Sequence, residues 1–293
     1  MRVGIGSSYE AADPAFVDEI LPRVDFVEVI PDTLAVRQGG RARIPAATLR
    51  ELATIARHAR VIVHGVGLSI GSADAWNEDY FALLDQVLEA VPVAWHSEHL
   101  AFSRVDGQFI GTMLALPRTQ QTLDLVCERV RRLRERYPLP FLLENTVNLL
   151  PDPPAAMSEA GFLNRLTRDS GCELLLDLYN LECNAHNQGW SMTDAVAELD
   201  LDRVREIHLA CGIEHEGLML DIHSRRTRAS TRAWLTEVLE QTPRLEAVIY
   251  ELMPEAVPTL GHAAWADEIT ELKTLITRPP WTSRPISAAC AGS

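Results

Sequence analysis

Six short apolar runs each end in a side chain able to bind a metal ion: VIVHG delivers His64, AWHSEHL His99, FLLEN Glu144, LLLD Asp177, EIHLA His208 and VIYEL Glu251. A carboxylate at the end of a buried run is costly unless a cation or hydrogen-bond donors meet it. Taken singly, each residue has an ordinary explanation: a strand-end histidine is often a hydrogen-bonded structural side chain, and an acidic residue there often caps the next helix. Together they do not. Clustered carboxylates raise one another's pKa, whereas a multivalent cation between them reverses the penalty.

Further donors follow in the connecting segments. DIHS sets Asp221 and His223 two residues apart, which puts both side chains on one side of an extended segment. Beyond Asp177, in LYNLECNAHN, Asn180 and His186 are expected on a loop. These ten oxygen and imidazole donors exceed the needs of one metal and call for two or three. Their chemistry suits iron, manganese or zinc, with carboxylates bridging neighbouring ions. Cys183 and Cys211 lie in the same stretches, where a small buried hydrophobe is the commoner role.

The elements that must position these groups repeat as strand, helix, strand. Strands are expected at Arg2 to Gly6, Asp25 to Ile30, Val61 to His64, Val93 to Glu98, Phe141 to Asn145, Glu173 to Asp177, Val204 to Leu209 and Ala247 to Glu251. Between them, apolar residues recur at helical steps in Pro45 to His58, Asn77 to Ala90, Thr119 to Tyr137, Ser158 to Asp169, Thr231 to Gln241 and His262 to Ile276. No glycine-rich GxGxxG turn follows the first strand, which disfavours an open doubly wound sheet. The expectation is an α/β chain forming one (β/α)8 TIM barrel of the xylose isomerase-like type, in which all strand C-termini converge on one face. Residues 1–277 are assigned to this single domain and 278–293 to a flexible tail carrying Cys290; Asp32 to Arg43 reads as a long polar loop.

Composition narrows the setting. A net charge of −14 and a pI near 5.1 argue against a nucleic-acid partner or an anionic membrane. The five cysteines are scattered with no CxxC pair, so a reduced, cytoplasmic setting without disulfides is expected. No apolar run is long enough to span a bilayer. Lys273 is the sole lysine and falls in the last helical segment, which removes lysine-based covalent chemistry from consideration.

HGVGLSIGSAD, SEHLAFS, LLEN, LLLDLYN with AHN, EIHLA and DIHS, in that order, resemble the DUF692 family of multinuclear non-heme iron-dependent oxidative enzymes, which includes the methanobactin biosynthesis oxidase. The resemblance runs from Gly4 to Leu275. It implies a TIM barrel holding two or three irons of mixed Fe(II)/Fe(III) state. It also implies dioxygen as co-substrate, and a small ribosomally made precursor peptide as substrate, modified often at cysteine. Carried onto this chain, it has His64, His99 and Glu144 hold one iron, with Glu144 bridging. Asp177, His208 and Glu251 complete a second centre, and Asn180, His186, Asp221 and His223 a third. Glu144, Asp177 and His208 are then the catalytic candidates.

The resemblance further implies a separate partner protein that grips the leader peptide, and the basic run Ser224 to Arg232 is a candidate contact for an acidic leader. The chain departs from the family at Tyr179, at Cys211–Gly212 after EIHLA and at LMPE after the last strand, positions that would line the substrate channel. Two other classes use similar donor sets: a metal-dependent hydrolase or isomerase of the xylose isomerase or endonuclease IV type, and a non-catalytic metal-binding partner protein.

Overall fold

The computed structural model describes residues 3–277 apart from 10–12, 14, 40, 151–152 and 154–155; the expected tail at 278–293 lies outside the described residues. Eight parallel strands close into a barrel: β1 (Gly4–Ser8), β2 (Phe26–Val29), β3 (Arg60–Gly65), β4 (Val93–His99), β5 (Phe141–Glu144), β6 (Glu173–Asp177), β7 (Val204–Leu209) and β8 (Ala247–Tyr250), with β8 pairing back onto β1. Every expected strand is present within two residues of its expected bounds.

Side chains alternate across each strand, so one set faces the helices and the other the barrel interior. At the floor of the interior, Phe26, Ile62, Trp95, Leu142, Leu175, Ala247 and Ile249 form an apolar plug. Each large side chain there contributes about 1.5–3 kcal/mol by burial. Gly6 is required beside it, because a Cβ would lie 2.3 Å from Ile249 and 2.9 Å from Phe26. Outside, the helices Ala46–Ile55, Glu78–Ala90, Gln120–Arg136, Glu159–Ser170, Ala229–Leu239 and His262–Ile276 pack their apolar faces on the strands.

Three strands are followed by hairpins before the helices that pack on the barrel. After β2 comes a short helix, Pro31–Leu34, and the paired strands Val36–Gln38 and Arg41–Arg43, where a plain polar loop was expected. After β4, Ala101–Val105 pairs with Gln108–Ala115, and after β7, Ile213–His215 pairs with Leu218–Leu220. All three leave the C-terminal ends of their strands, so they surround the barrel mouth. The segment after β6 also differs from expectation: Leu178–Gln188 is a helix, not a loop. Asp177 caps it, its Oδ1 accepting the Asn180 N–H at 2.7 Å, and Gly189 ends it in a left-handed conformation. Among the described residues no helix is long and apolar enough to cross a membrane.

Candidate metal centre

Three overlapping groups of ligand atoms gather in the barrel, each with its atoms within 4.8 Å of one another: His64, His99 and Glu144; Glu144, Asp177, His208 and Glu251; and Glu28, Glu206 and His208. The six strand-end residues of the sequence are all in them. Each has less than a tenth of its surface exposed.

Glu144, at the end of β5, is the hinge of the arrangement. Its Oε2 is 3.2 Å from His64 Nε2 and 3.3 Å from His99 Nε2, while its Oε1 faces His208 Nδ1 at 3.7 Å. Neither oxygen has a hydrogen-bond partner. Burial therefore drives the Glu144 carboxyl well above the usual carboxylate range, and the nearby histidines do not offset it. Capping is excluded for this residue.

The two histidines facing Glu144 are held from behind. His64 Nδ1 meets Ser97 Oγ at 2.9 Å, and His99 Nδ1 meets the Gly65 carbonyl at 2.9 Å, so each ring turns its Nε2 inward. Burial lowers both imidazoles below their ordinary pKa, His99 to about 3, which keeps them neutral. Neutral imidazole is the form that ligates a metal. Gly65 itself is dictated by close approach: a Cβ there would lie 2.3 Å from Glu98 Oε2 and 2.5 Å from the Tyr80 hydroxyl. Glu98 also accepts the Leu68 N–H at 3.3 Å, and Asp32 accepts the Gly67 N–H at 3.0 Å, so two carboxylates clamp the HGVGL turn that carries His64.

On the other side, Asp177 uses one oxygen as a helix cap and leaves Oδ2 buried without a partner. The capping reading therefore holds for one oxygen, and the other is left available to a cation. Burial and the neighbouring Asp221 carboxylate push its carboxyl well above the usual range. Asn180 donates to the Asn145 carbonyl at 3.1 Å, and its Oδ1 is buried without a partner. His223 bonds Asp221 Oδ2 at 2.6 Å and lies 3.3 Å from Glu251 Oε1, which brings the DIHS pair to the cluster. His223 adopts φ +42°, a left-handed conformation that costs a non-glycine residue roughly 1–3 kcal/mol and persists where surroundings impose it. Burial opposes charge on His223, but Asp221 and Glu251 outweigh it and raise its pKa. Burial likewise pushes the Glu251 carboxyl up, and His223 and His208 overturn that and hold it well below the ordinary range.

His186 is a correction. It was expected to share a loop with Asn180, but the segment is helical, and six residues at about 100° and 1.5 Å each turn it away and move it roughly 9 Å along the axis. It is exposed, its Nε2 at 3.0 Å from the Gly217 carbonyl. Glu28 and Glu206 are the residues that sequence reading passed over. Both are fully buried and leave an oxygen unpartnered. The signal was a lone glutamate inside each of two apolar strands, FVEV and VREIHL, with Glu206 in phase with His208.

Lys273 pairs with Asp25 Oδ1 at 3.1 Å, just before β2 and away from the cluster. In the basic run, Arg226 and Arg232 are each tied to both Glu268 and Glu271 of the last helix. Cys183 and Cys211 are buried with Tyr179, Ala210 and Met219, and burial raises both thiols.

A donor set rich in buried carboxylate oxygens without hydrogen bonds, faced by the neutral imidazoles of His64 and His99, is one that metal cations complete.

Comparison with known proteins identifies relatives and the fold. The model of the family described as "RiPP precursor modification enzyme MbnB/TglH/ChrH" matches residues 2–274. A UPF0276 protein of Caulobacter vibrioides is 34% identical over 209 residues, 71% of this chain and 72% of that one. One from Rhizorhabdus wittichii is 36% identical over 212 residues, 72% and 73% of the two chains. Among solved structures, D-psicose 3-epimerase from Clostridium cellulolyticum superposes with a TM-score of 0.61 at 12% identity, covering 94% of this chain and 99% of that one. Endonuclease IV from Thermus thermophilus gives 0.55 at 17%, covering 92% and 99%. At such identities the likeness extends to the xylose isomerase-like barrel alone.

Proposed function

The chain belongs to the family of RiPP precursor modification enzymes MbnB/TglH/ChrH, and on that premise we propose that it is an iron-dependent, dioxygen-using oxidase acting on a small ribosomally synthesised precursor peptide, at or beside a cysteine. The observation that carries the reading is Glu144: its two buried oxygens have no hydrogen bonds and face two different sets of ligands. That is the disposition of a bridging carboxylate.

In this reading His64, His99 and Glu144 hold one iron. Glu144, Asp177, His208 and Glu251 hold a second, and Asn180, Asp221 and His223 with Glu251 serve a third. Bound iron supplies the one-electron chemistry that dioxygen requires. The chain's own residues do the rest. Ser97 and the Gly65 carbonyl fix the ring orientations of His64 and His99. The Asn145 amide accepts the Asp177 N–H at 2.9 Å and donates to its carbonyl at 2.9 Å, which locks β5 to β6 at the site. The apolar floor fills the barrel below the cluster, and the hairpins beyond the strand C-termini carry exposed Phe109, Ile110 and Leu218 as apolar contacts for a peptide. A separate leader-binding partner protein, which the family resemblance implies, completes the proposal.

The test is anaerobic purification, metal analysis per chain, and oxygen uptake with the precursor peptide encoded beside the enzyme. Iron with peptide-dependent oxygen uptake is expected. Zinc occupancy without oxygen consumption under reducing conditions overturns the reading in favour of hydrolysis or isomerisation.

A further inference from the structure

Behind the ligand groups that face Glu144 lies a second carboxylate layer to which neither the family resemblance nor the strand-end pattern gives a role. His208, at the end of β7, is fully buried and sits between the two layers. Its Nδ1 faces the mouth, 3.1 Å from Glu251 Oε2 and 3.7 Å from Glu144 Oε1. Its Nε2 faces inward, 2.9 Å from Glu28 Oε2 and 3.5 Å from Glu206 Oε1. Glu28 reaches it from β2, across the barrel, and Glu206 is pinned from below by Trp95 Nε1 at 2.8 Å.

A neutral imidazole has one donor nitrogen and one lone pair. The oxygens that lack hydrogen bonds on the Nδ1 side include both of Glu144 and one of Asp177, so that side carries the larger need for a cation. Of the two contacts of hydrogen-bond length that the ring makes, the one at Nε2 is the shorter, 2.9 Å to Glu28 against 3.1 Å to Glu251. We propose that Glu28 is a positioning residue: it accepts the His208 Nε2–H and thereby directs the Nδ1 lone pair to a metal ion shared with Glu144, Asp177 and Glu251, while Glu206, held by Trp95, backs the pair. A carboxylate behind a ligating histidine fixes its tautomer and raises its basicity, and losing such a partner typically weakens metal binding by 10–100-fold. The floor of the barrel is thus connected to the metal centre through Trp95, Glu206 and His208. This inference rests on the metal-centre reading above.

Cobalt(II) titration of the anaerobic, metal-free full-length protein tests it, following visible absorption and the number of ions bound at saturation. Glu28→Ala is expected to keep the wild-type number of ions but bind the weakest of them roughly 10–100-fold less tightly, with an altered cobalt spectrum. Glu28→Gln, which retains an acceptor oxygen, recovers most of that loss. Wild-type affinity and spectrum in Glu28→Ala overturn the proposal. So does loss of one whole equivalent with the others unchanged, which makes Glu28, Glu206 and His208 a cation site in their own right. If Glu28→Ala does not fold by near-ultraviolet circular dichroism, the comparison moves to Glu28→Met, of similar length but without an acceptor oxygen, against Glu206→Met. The first, at the shorter contact, is then expected to weaken binding more, and the reverse order overturns the proposal. A wild-type protein that binds no cobalt refutes the metal-centre reading instead.

Discussion

The two ends of the barrel treat charge in opposite ways. Around the N-terminal ends of the strands, Arg205 joins Glu173 to Glu246, Arg244 adds a second bond to Glu173, and Arg60 reaches Glu246 at 3.0 Å, so each of these carboxylates has a cationic partner. At the C-terminal ends, and inside the barrel just below them, Glu144, Asp177, Glu28 and Glu206 are deeply buried and keep oxygens with no hydrogen-bond partner. The first arrangement is satisfied by the chain alone. The second is incomplete without something the chain does not contain, and that separation of stability from chemistry is the division expected of a TIM barrel.

Breaking the stable end carries the largest energetic penalty. Trp95→Ala removes the central ring of the floor and the donor to Glu206, and about 3–5 kcal/mol of unfolding free energy is lost, measured by urea denaturation of the metal-free protein. The functional end responds to metal instead. Chelation lowers the melting temperature of the wild type, by the equivalent of about 2.7 kcal/mol at a metal concentration 100 times Kd, and leaves Glu144→Ala nearly unaffected.

The pH dependence separates the two ends further. In the metal-free protein, Glu144 and Asp177 are held above their ordinary values by burial, and His208 and His223 are held above 6.5 by the carboxylates that outweigh their burial. Each of these groups binds its proton more tightly folded than unfolded. The stability that His208 and His223 contribute is present below pH 6.5 and is lost as pH rises through their folded values. Melting temperature without metal therefore falls between neutral and alkaline pH. With metal bound, where ligation displaces those protons, it does not. A metal-free protein whose melting temperature rises over that range contradicts the charge assignment.

Smaller effects sharpen the boundary of the site. Asp177→Asn keeps a cap for the following helix and loses a ligand, so metal content drops while metal-free stability changes by less than the roughly 1 kcal/mol that Asp177→Ala costs. His186→Ala, on the exposed side of that helix, leaves metal content unchanged; a loss of metal in this variant would restore His186 to the ligand set.

The barrel was legible in the sequence because period-two and helical patterns alternate along it, and the strand-end donors because each interrupts an apolar run. Three things were not. The helix after Asp177 was hidden by polar residues, Asn180, Asn184 and Asn187, that bond across to Asn145, Thr146 and Met219 instead of marking a loop. The hairpins were hidden because their strands are either only three residues long or, as in QFIGTMLA, without regular alternation, which leaves little periodic pattern. Glu28 and Glu206 were hidden by sitting within strands rather than at their ends, where only the inward face of a closed barrel reveals that they meet His208.

The most direct test of the central claim is the metal content of Glu144→Ala beside the wild type, both purified anaerobically. Because Glu144 belongs to two ligand groups at once, its loss is predicted to remove more than one metal ion per chain while the barrel remains folded. A folded variant that retains every metal ion of the wild type would contradict the bridging role and the multinuclear centre with it.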